Sequence, residues 1–305
     1  MAELEFRPWS DGDDLALLEI FGDPSSPHAH QDRTMFRANS DTPFVRSLVA
    51  TDQGIAIAAG VIFASSLHPT RLWLYVEVAR DHRRNGLGTE LVNRLREMIP
   101  AGETTELKAR YTRTAGTDAA AAAGFCASLG MKQIQESRDA IIEPGGLALP
   151  IFHDDGLTLD DIATGSVELT KLVVDFYNAT HQWDPAQMTL GSAQKMLLDD
   201  GTGAKGVIVL RDKPKARGGK ILSFAISYTP ARIDAPADVL LGWNPELSEE
   251  ESAEPIRGML AMLAHQHPVK LEVDDSMVVL SSLIDVLATA KQATIISTTT
   301  IVATA

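Results

Sequence analysis

The sequence predicts an α/β (α+β) protein built as two tandem domains, each a mixed central sheet with helices on both faces. Three observations carry this. The 305 residues fit two domains of about 150 residues each. In the first half, runs of apolar alternation are interleaved with runs at helical spacing. In the second half a similar order of runs returns, the mark of a diverged internal repeat.

Taken in order, alternation predicts strands at Leu4–Trp9, Phe44–Thr51, Ile55–Ser66, Leu72–Val78, Glu106–Tyr111 and Lys132–Ile142. Helical spacing fits Asp13–Phe21, Gly88–Met98 and Asp118–Leu129. The turn formers from Glu143 to Pro150, with Gly145 and Gly146 at their centre, set the domain boundary, giving domains 1–146 and 151–305. Beyond it, helices are expected at Val167–His181, Gly191–Leu198, Pro255–His265 and Met277–Ala288. The strands of this half are expected at Lys205–Arg211, Lys220–Tyr228, Val239–Gly242, Val269–Val273 and Thr294–Ala303. A short echo links the halves, Gly130-Met131-Lys132-Gln133 with Thr289-Ala290-Lys291-Gln292, each closing a helix and opening the last strand.

Composition narrows the function classes. Hydrophobic residues make up 45% and charged residues 22%, as in ordinary globular proteins rather than disordered ones. No window is long and apolar enough to span a bilayer, and the N-terminus is acidic with no apolar segment after it, so a cytoplasmic location is expected. The net charge of −14 disfavours nucleic acid and anionic membranes and favours encounter with cationic small molecules. It is spread unevenly: 20 acidic against 15 basic residues in 1–150, and 21 against 12 in the remainder. One cysteine, Cys126, excludes an internal disulfide and a multi-thiolate metal site.

The run from Leu72 to Leu91 carries the chemistry. It reads as a strand, a loop with Arg80, Arg83, Arg84, Gly86 and Gly88, then a helix with Leu87, Leu91, Leu95 and Met98 on one face. Such a loop presents backbone N–H groups at the positive end of a helix, where a phosphate-like anion is stabilised. Glycines allow close backbone approach and the arginines add charge. A dinucleotide fingerprint would need a third glycine where Leu91 stands, and the Gly-Lys-Ser/Thr of a P-loop is missing.

With Val78 followed by Arg83-x-x-Gly86-x-Gly88, the segment resembles the acyl-CoA-binding signature of the GCN5-related N-acetyltransferase (GNAT) family. The resemblance covers most of residues 3–142, including Gly124-Phe125-Cys126-Ala127-Ser128-Leu129-Gly130-Met131, similar to the family's closing helix. Length and tandem arrangement resemble mycothiol synthases, in which the second copy is catalytic, whereas the motif here lies in the first.

The resemblance implies acetyl-CoA as co-substrate, no metal, and direct transfer to a primary amine of a small molecule or peptide. The cofactor-binding residues it implies are Val76 and Val78 for the pantetheine arm. For the pyrophosphate they are Arg83, Arg84, Asn85, Gly86, Leu87, Gly88 and Thr89. A backbone N–H would stabilise the tetrahedral oxyanion and a general acid would protonate the leaving thiolate. The family's usual acid is a tyrosine, and Cys126 holds that position. As a free cysteine in a helix it also reads as a buried packing residue, so Cys126→Ala is expected to leave more than about a tenth of turnover. For the general base, Glu77 is the choice within the motif strand, with His68 and Glu106 as rivals and His82 read as exposed.

In the second half the position of the cradle is taken by Glu246, Glu249, Glu250, Glu251 and Glu254, with no paired glycines. A pyrophosphate there would be repelled within a Debye length of about 8 Å, so this half is expected not to bind CoA. His28-x-His30 with Asp32, and His265-x-His267, read as surface residues rather than metal ligands. Tyr177, His181, Trp183 and Pro185 cluster at a helix end and read as packing. The alternative to an enzyme is a non-catalytic acyl-CoA-binding sensor or scaffold, suggested by Cys126 in place of tyrosine. Oligomeric state is not encoded in any of these features.

Overall fold

The computed structural model describes residues 4–24, 26–117, 119–152, 156–230, 232 and 235–304. Two compact units divide it: Met1–Ile134 together with Thr299–Ala305, and Gln135–Thr298. The turn at 143–150 lies inside the second unit, and each unit is described by itself.

The first half runs β1 (Leu4–Pro8), α1 (Asp13–Phe21), α2 (Pro27–Arg33), β2 (Ser40–Asp41), β3 (Phe44–Asp52) and β4 (Ile55–Phe63). It continues with β5 (Leu72–Val78), α3 (Leu87–Glu97), β6 (Leu107–Thr114), α4 (Ala120–Ser128) and β7 (Lys132–Ile142). The first unit's sheet is ordered β1-β3-β4-β5-β6, with the end of the final strand beyond β6. Both faces are covered, which is why β4 is apolar along its whole length and β3 is buried at consecutive positions from Ser47 to Thr51 rather than at alternate ones. On one face Leu17 and Phe36 pack with Val45, Val49, Val61 and Phe63, and Trp73 and Tyr75 lie against them. On the other, Leu91, Val92 and Leu95 of α3 and Cys126 of α4 pack on Leu48, Ile62, Leu72 and Leu74.

The predicted helix from Asp118 is observed from Ala120 to Ser128, and Asp118 itself lies outside the described residues. The helix α2 is an addition to the expected elements. Its seven residues have no apolar stripe, and Ser26 caps it by accepting from the Ala29 N–H at 3.1 Å, with Pro27 at its first position.

The second half runs β8 (Thr158–Ile162), α5 (Val167–Thr180), α6 (Leu190–Ala193), β9 (Ala204–Arg211), β10 (Ile221–Tyr228) and β11 (Ala237–Trp243). It closes with α7 (Glu249–Leu263), β12 (Val269–Asp274), α8 (Val278–Thr289) and β13 (Ala293–Ala303). The strand order here is β13-β7-β12-β11-β10-β9-β8, with β12 antiparallel to β7 from Val269↔Ile142 to Asp274↔Ser137. β13 serves both units: Thr299–Ala305 belong to the first, where Val302 is buried in its core and the Thr304 N–H donates to the Leu107 carbonyl at 2.9 Å.

Two sequence expectations are corrected. α7 begins six residues before Pro255, because Ser248 and Glu251 form a reciprocal capping box and acidic residues suit a helix N-terminus. The glutamate run is therefore the first turns of a helix and not a loop. The echo between halves is out of register by two: left-handed Gly130 (φ 77°) corresponds to left-handed Lys291 (φ 60°). After each, the next N–H reaches back to close the helix, Met131 to Cys126 at 3.1 Å and Gln292 to Leu287 at 2.8 Å. Among the described residues, no helix is long and apolar enough to cross a membrane.

Candidate functional site

The site begins with a fork in the first unit's sheet. β5 and β6 run parallel but pair only at Leu72↔Leu107 and Trp73↔Lys108, then part. Backbone polar groups alternate between the two edges of a strand. The Leu72 N–H donates toward β6, to Glu106 at 2.9 Å, while the Ala79 N–H donates toward β4, to Ile57 at 2.8 Å. Even-numbered residues of β5 thus direct their backbone groups to the β6 side. Beyond the fork, Val76 and Val78 offer an open strand edge, where the Val78 carbonyl accepts a hydrogen bond from Arg83 Nε at 2.8 Å.

The loop after β5 leads into α3 with Arg84 (φ 67°) and Gly86 (φ 81°) both in the left-handed region. Gly86 caps α3 without any side-chain bond, and the first helical bond runs from Glu90 to Gly86 at 3.0 Å. The amides of Leu87, Gly88 and Thr89 precede that bond and point out of the helix end. Arg80, Arg83, Arg84, Asn85 and Thr89 are exposed around them. The Leu87 side chain is buried in the core, so only its backbone faces the loop. The two glycines differ in purpose. Gly86 is set by its backbone angle, whereas a Cβ on Gly88 would stand 3.2 Å from the Phe125 ring. Gly88 therefore serves helix packing, a reason the sequence pattern did not reveal.

Glu77 and Cys126 fall on opposite faces of the sheet. The Glu77 carboxylate, largely buried, accepts from Arg33 Nε at 2.7 Å and Nη2 at 2.9 Å, and from the Tyr75 hydroxyl. Burial, then the Glu77 charge, pushes the Tyr75 hydroxyl far up, so it stays a donor. Cys126 lies in the core beside α3, and burial raises its thiol to about 11. Tyr111 of β6 joins the same cluster. Of the rival bases, His68 is buried and Glu106 pairs with Arg71 at 3.3 Å.

The histidine pairs are placed apart from any shared centre. His28 Nδ1 lies 3.4 Å from Thr112 Oγ1 and 3.2 Å from Thr299 Oγ1, Asp32 is held by Arg110, and His265 and His267 are exposed. Among the described residues no group of three or more His, Cys, Asp or Glu is arranged to hold a metal ion. In the second unit, the Tyr177 and His181 rings stack at 3.8 Å, and His181 Nε2 lies 3.8 Å from Asp274 Oδ2. Trp183 stands 5.6 Å from His181, and Pro185 is exposed.

A parallel-strand fork, an open strand edge and a helix end without a side-chain cap, preceded by a basic loop, thus stand together after β5. Residues 9–130 match the acetyltransferase (GNAT) family. The whole chain has the tandem GNAT fold. It is similar to a GCN5-related N-acetyltransferase from Sphaerobacter thermophilus, with TM-score 0.60 and 14% identity over 98% of this chain and 95% of that one. It is also similar to a tandem GNAT protein of the clavulanic acid biosynthesis pathway, with TM-score 0.57 and 16% identity over 99% and 98%. A putative acetyltransferase from Pyrococcus horikoshii matches with TM-score 0.51 and 12% identity over 98% and 88%. No curated protein matches the sequence.

Proposed function

We propose that this protein is an N-acyltransferase that moves an acyl group, acetyl foremost, from CoA to a primary amine, with the catalytic site in residues 1–146. The observation that carries this reading is the β5/β6 fork ending in an uncapped, arginine-flanked helix. The pantetheine arm lies along the open edge at Val76 and Val78, adding a strand's worth of hydrogen bonds. The pyrophosphate rests on the amides from Arg84 to Thr89, with Arg83 and Arg84 supplying charge. Residues 151–305 form a degenerate copy without a CoA cradle, since the start of α7 is capped by Ser248 and Glu251 and carries Glu249 and Glu250 in its first turn.

Transfer forms an N–C bond as the thioester C–S bond breaks. The amine enters from the face of Trp73, Tyr75 and Glu77, and the thiolate leaves on the face of α3 and α4. Glu77 is the proton acceptor in this arrangement, and it must loosen its pairing with Arg33 to act. The Cys126 thiol and the Tyr111 hydroxyl are the S–H and O–H groups on the thiolate's side.

The test is calorimetric titration of the intact protein with acetyl-CoA, followed by thiol release with a panel of amines. One equivalent is expected to bind, and Gly86→Glu is expected to weaken it at least ~100-fold by setting a carboxylate in the phosphate position. Two equivalents, or unaltered binding by Gly86→Glu, would remove the assignment. Binding without any acylated amine would favour the sensor or scaffold reading.

A further inference from the structure

The second unit has a fork of its own. β11 and β12 pair only from Ala237↔Val269 to Val239↔Leu271, and beyond that point β12 continues with Glu272 and Asp274. We infer that this second fork is a binding site for an organic ammonium ion, held by the carboxylates of Glu272 and Asp274 and by the rings of Tyr177 and His181. The site is separate from the acyl-CoA cradle and does not rest on the acyltransferase reading.

One face of β12 carries it. Strand alternation puts Glu272 and Asp274 on the same face, and the register Asp274↔Ser137 adds Ser137 of β7 and, two residues along, Gln135. β12 is an inner strand, with β7 on one side and β11 on the other. Its glutamate is nevertheless exposed, while Asp274 is buried. The face is thus open at Glu272 and closed at Asp274. Over Asp274 stand the rings from α5 and its end: Tyr177 and His181 stacked at 3.8 Å, His181 Nε2 3.8 Å from Asp274 Oδ2, and Trp183 5.6 Å from His181. All three rings are half-buried, so the cluster reaches solvent.

Two independent observations point to a cation that donates hydrogen bonds. The first is charge. Among the described residues no lysine or arginine pairs with Glu272 or Asp274, and Lys270, on the same face, pairs with Asp238 at 3.4 Å. Glu272 accepts from the Ser137 hydroxyl at 2.6 Å, a neutral partner. His181 is the basic group beside Asp274, and even when protonated it would balance one carboxylate of the two. Burial, then the charges of Asp274, Glu272 and Asp184, push the Tyr177 hydroxyl far up, so three carboxylates act on one phenol.

The second observation is Gln135. It is 1% exposed, and among the described residues neither its amide oxygen nor its amide nitrogen completes a hydrogen bond. It stands at the same carboxyl: burial and Glu272 raise Asp274, and Gln135 is among the groups that oppose the rise. A buried amide left unbonded is unfavourable, and an ammonium N–H beside Asp274 would satisfy its oxygen. The aromatic rings favour an organic cation over a metal ion, because their faces attract a diffuse positive charge. In agreement, among the described residues no three His, Cys, Asp or Glu are arranged to hold a metal.

The experiment titrates the intact protein calorimetrically at pH 8 and constant ionic strength with n-butylamine and putrescine, with 1-butanol and 1,4-butanediol as uncharged counterparts, and with magnesium chloride. One equivalent of amine is expected to bind saturably, and neither the alcohols nor magnesium. Glu272→Gln, at an exposed position, and Asp274→Asn are each expected to weaken the amine at least ~10-fold, as is Gln135→Leu, while Glu250→Gln on α7 leaves it unchanged. Affinity is also expected to fall at least ~10-fold from pH 8 to pH 5, because protonation of Asp274 and of His181 both remove attraction for a cation. If Asp274→Asn fails to fold, Glu272→Gln decides alone. Absence of saturable amine binding, tighter binding of magnesium, unchanged affinity in Glu272→Gln, or an equal loss in Glu250→Gln would overturn the inference. Acetyl-CoA affinity is expected to be the same in every variant, and its loss alongside the amine would overturn the inference by making the effect one of the fold.

Discussion

The two units contain the same backbone opening with opposite chemistry. In the first, β5 and β6 part after Trp73↔Lys108; in the second, β11 and β12 part after Val239↔Leu271. Matching the paired lysines Lys108 and Lys270 places Glu272 where the first unit has Arg110, and Asp274 where it has Thr112. The helix after the first fork is uncapped and preceded by arginines, while the helix after the second is closed by Ser248 and Glu251 and opens on glutamates. At the second fork the stacked Tyr177 and His181 stand against Asp274. The opening itself comes from strand pairing, which apolar alternation enforces. The two openings differ in a handful of side chains and in how the helix that follows each is capped.

The strongest way to break this comparison is to remove residues 299–305. Of these, residues 299–304 lie beside β6 in the first unit, with Val302 4% exposed and the Leu107 N–H donating to Thr304 Oγ1 at 2.9 Å. Burying one such aliphatic side chain contributes about 1.5–3 kcal/mol, a large share of the roughly 5–15 kcal/mol that holds a domain folded. The shortened chain is expected to lose acetyl-CoA binding entirely and to lose hydrogen-exchange protection across β5 and β6. Binding at the intact protein's affinity would show that the first fork needs no strand beyond β6. For the same reason, a chain ending at Gly146 is expected to lack a complete first unit.

A smaller effect sharpens the second fork. Burial, and then Glu272, raises the Asp274 carboxyl to about 7 from an ordinary 3.8, with Asp275 adding to the rise and Ser137 opposing it. Because the folded value is raised, the folded chain holds a proton between about pH 4 and pH 7 that the unfolded chain has released. Stability from this group is therefore full below about pH 4 and is lost as pH rises through 7. Asp274→Asn is expected to raise Tm by several degrees at about pH 8 and to leave it unchanged at about pH 4. A loss of Tm at pH 8 would mean that His181, together with Tyr177 beside it, holds the Asp274 carboxylate as an ion pair.

Local signals in the sequence identified most of this. The limits of β5 and β7 match the alternation, and the glycine loop was visible because its meaning depends on adjacent residues. Long-range pairing was not. Asp32 and Arg110 meet across 78 positions, and Arg33 meets Glu77 across 44, so no local pattern links them. The helix that brings Asp32 and Arg33 forward has no apolar stripe, although Ser26 followed by Pro27 signals its start. The Ser248 to Glu251 capping box was equally readable, but Pro255 drew the helix start toward itself. The sharing of β13 between units left no mark, since a strand's alternation is the same whichever neighbour it joins.

The smallest effect concerns the catalytic end of the first fork. Cys126 packs beside Leu87, Leu91 and Met131 in the core, and its thiol at about 11 is neutral at physiological pH. A neutral, buried thiol neither attacks an ester nor carries charge, and its position on α4 is that of a packing group. Cys126→Ala is expected to cost about 1 kcal/mol of stability and to leave more than a tenth of kcat. Tyr111→Phe, on the same face, is the sharper probe, because it removes a proton donor while keeping the ring in place. If Cys126→Ala abolishes turnover with acetyl-CoA binding intact, and Tyr111→Phe does not, the thiol is the acid. The two forks would then differ in catalytic equipment as well as in the helix end that follows each.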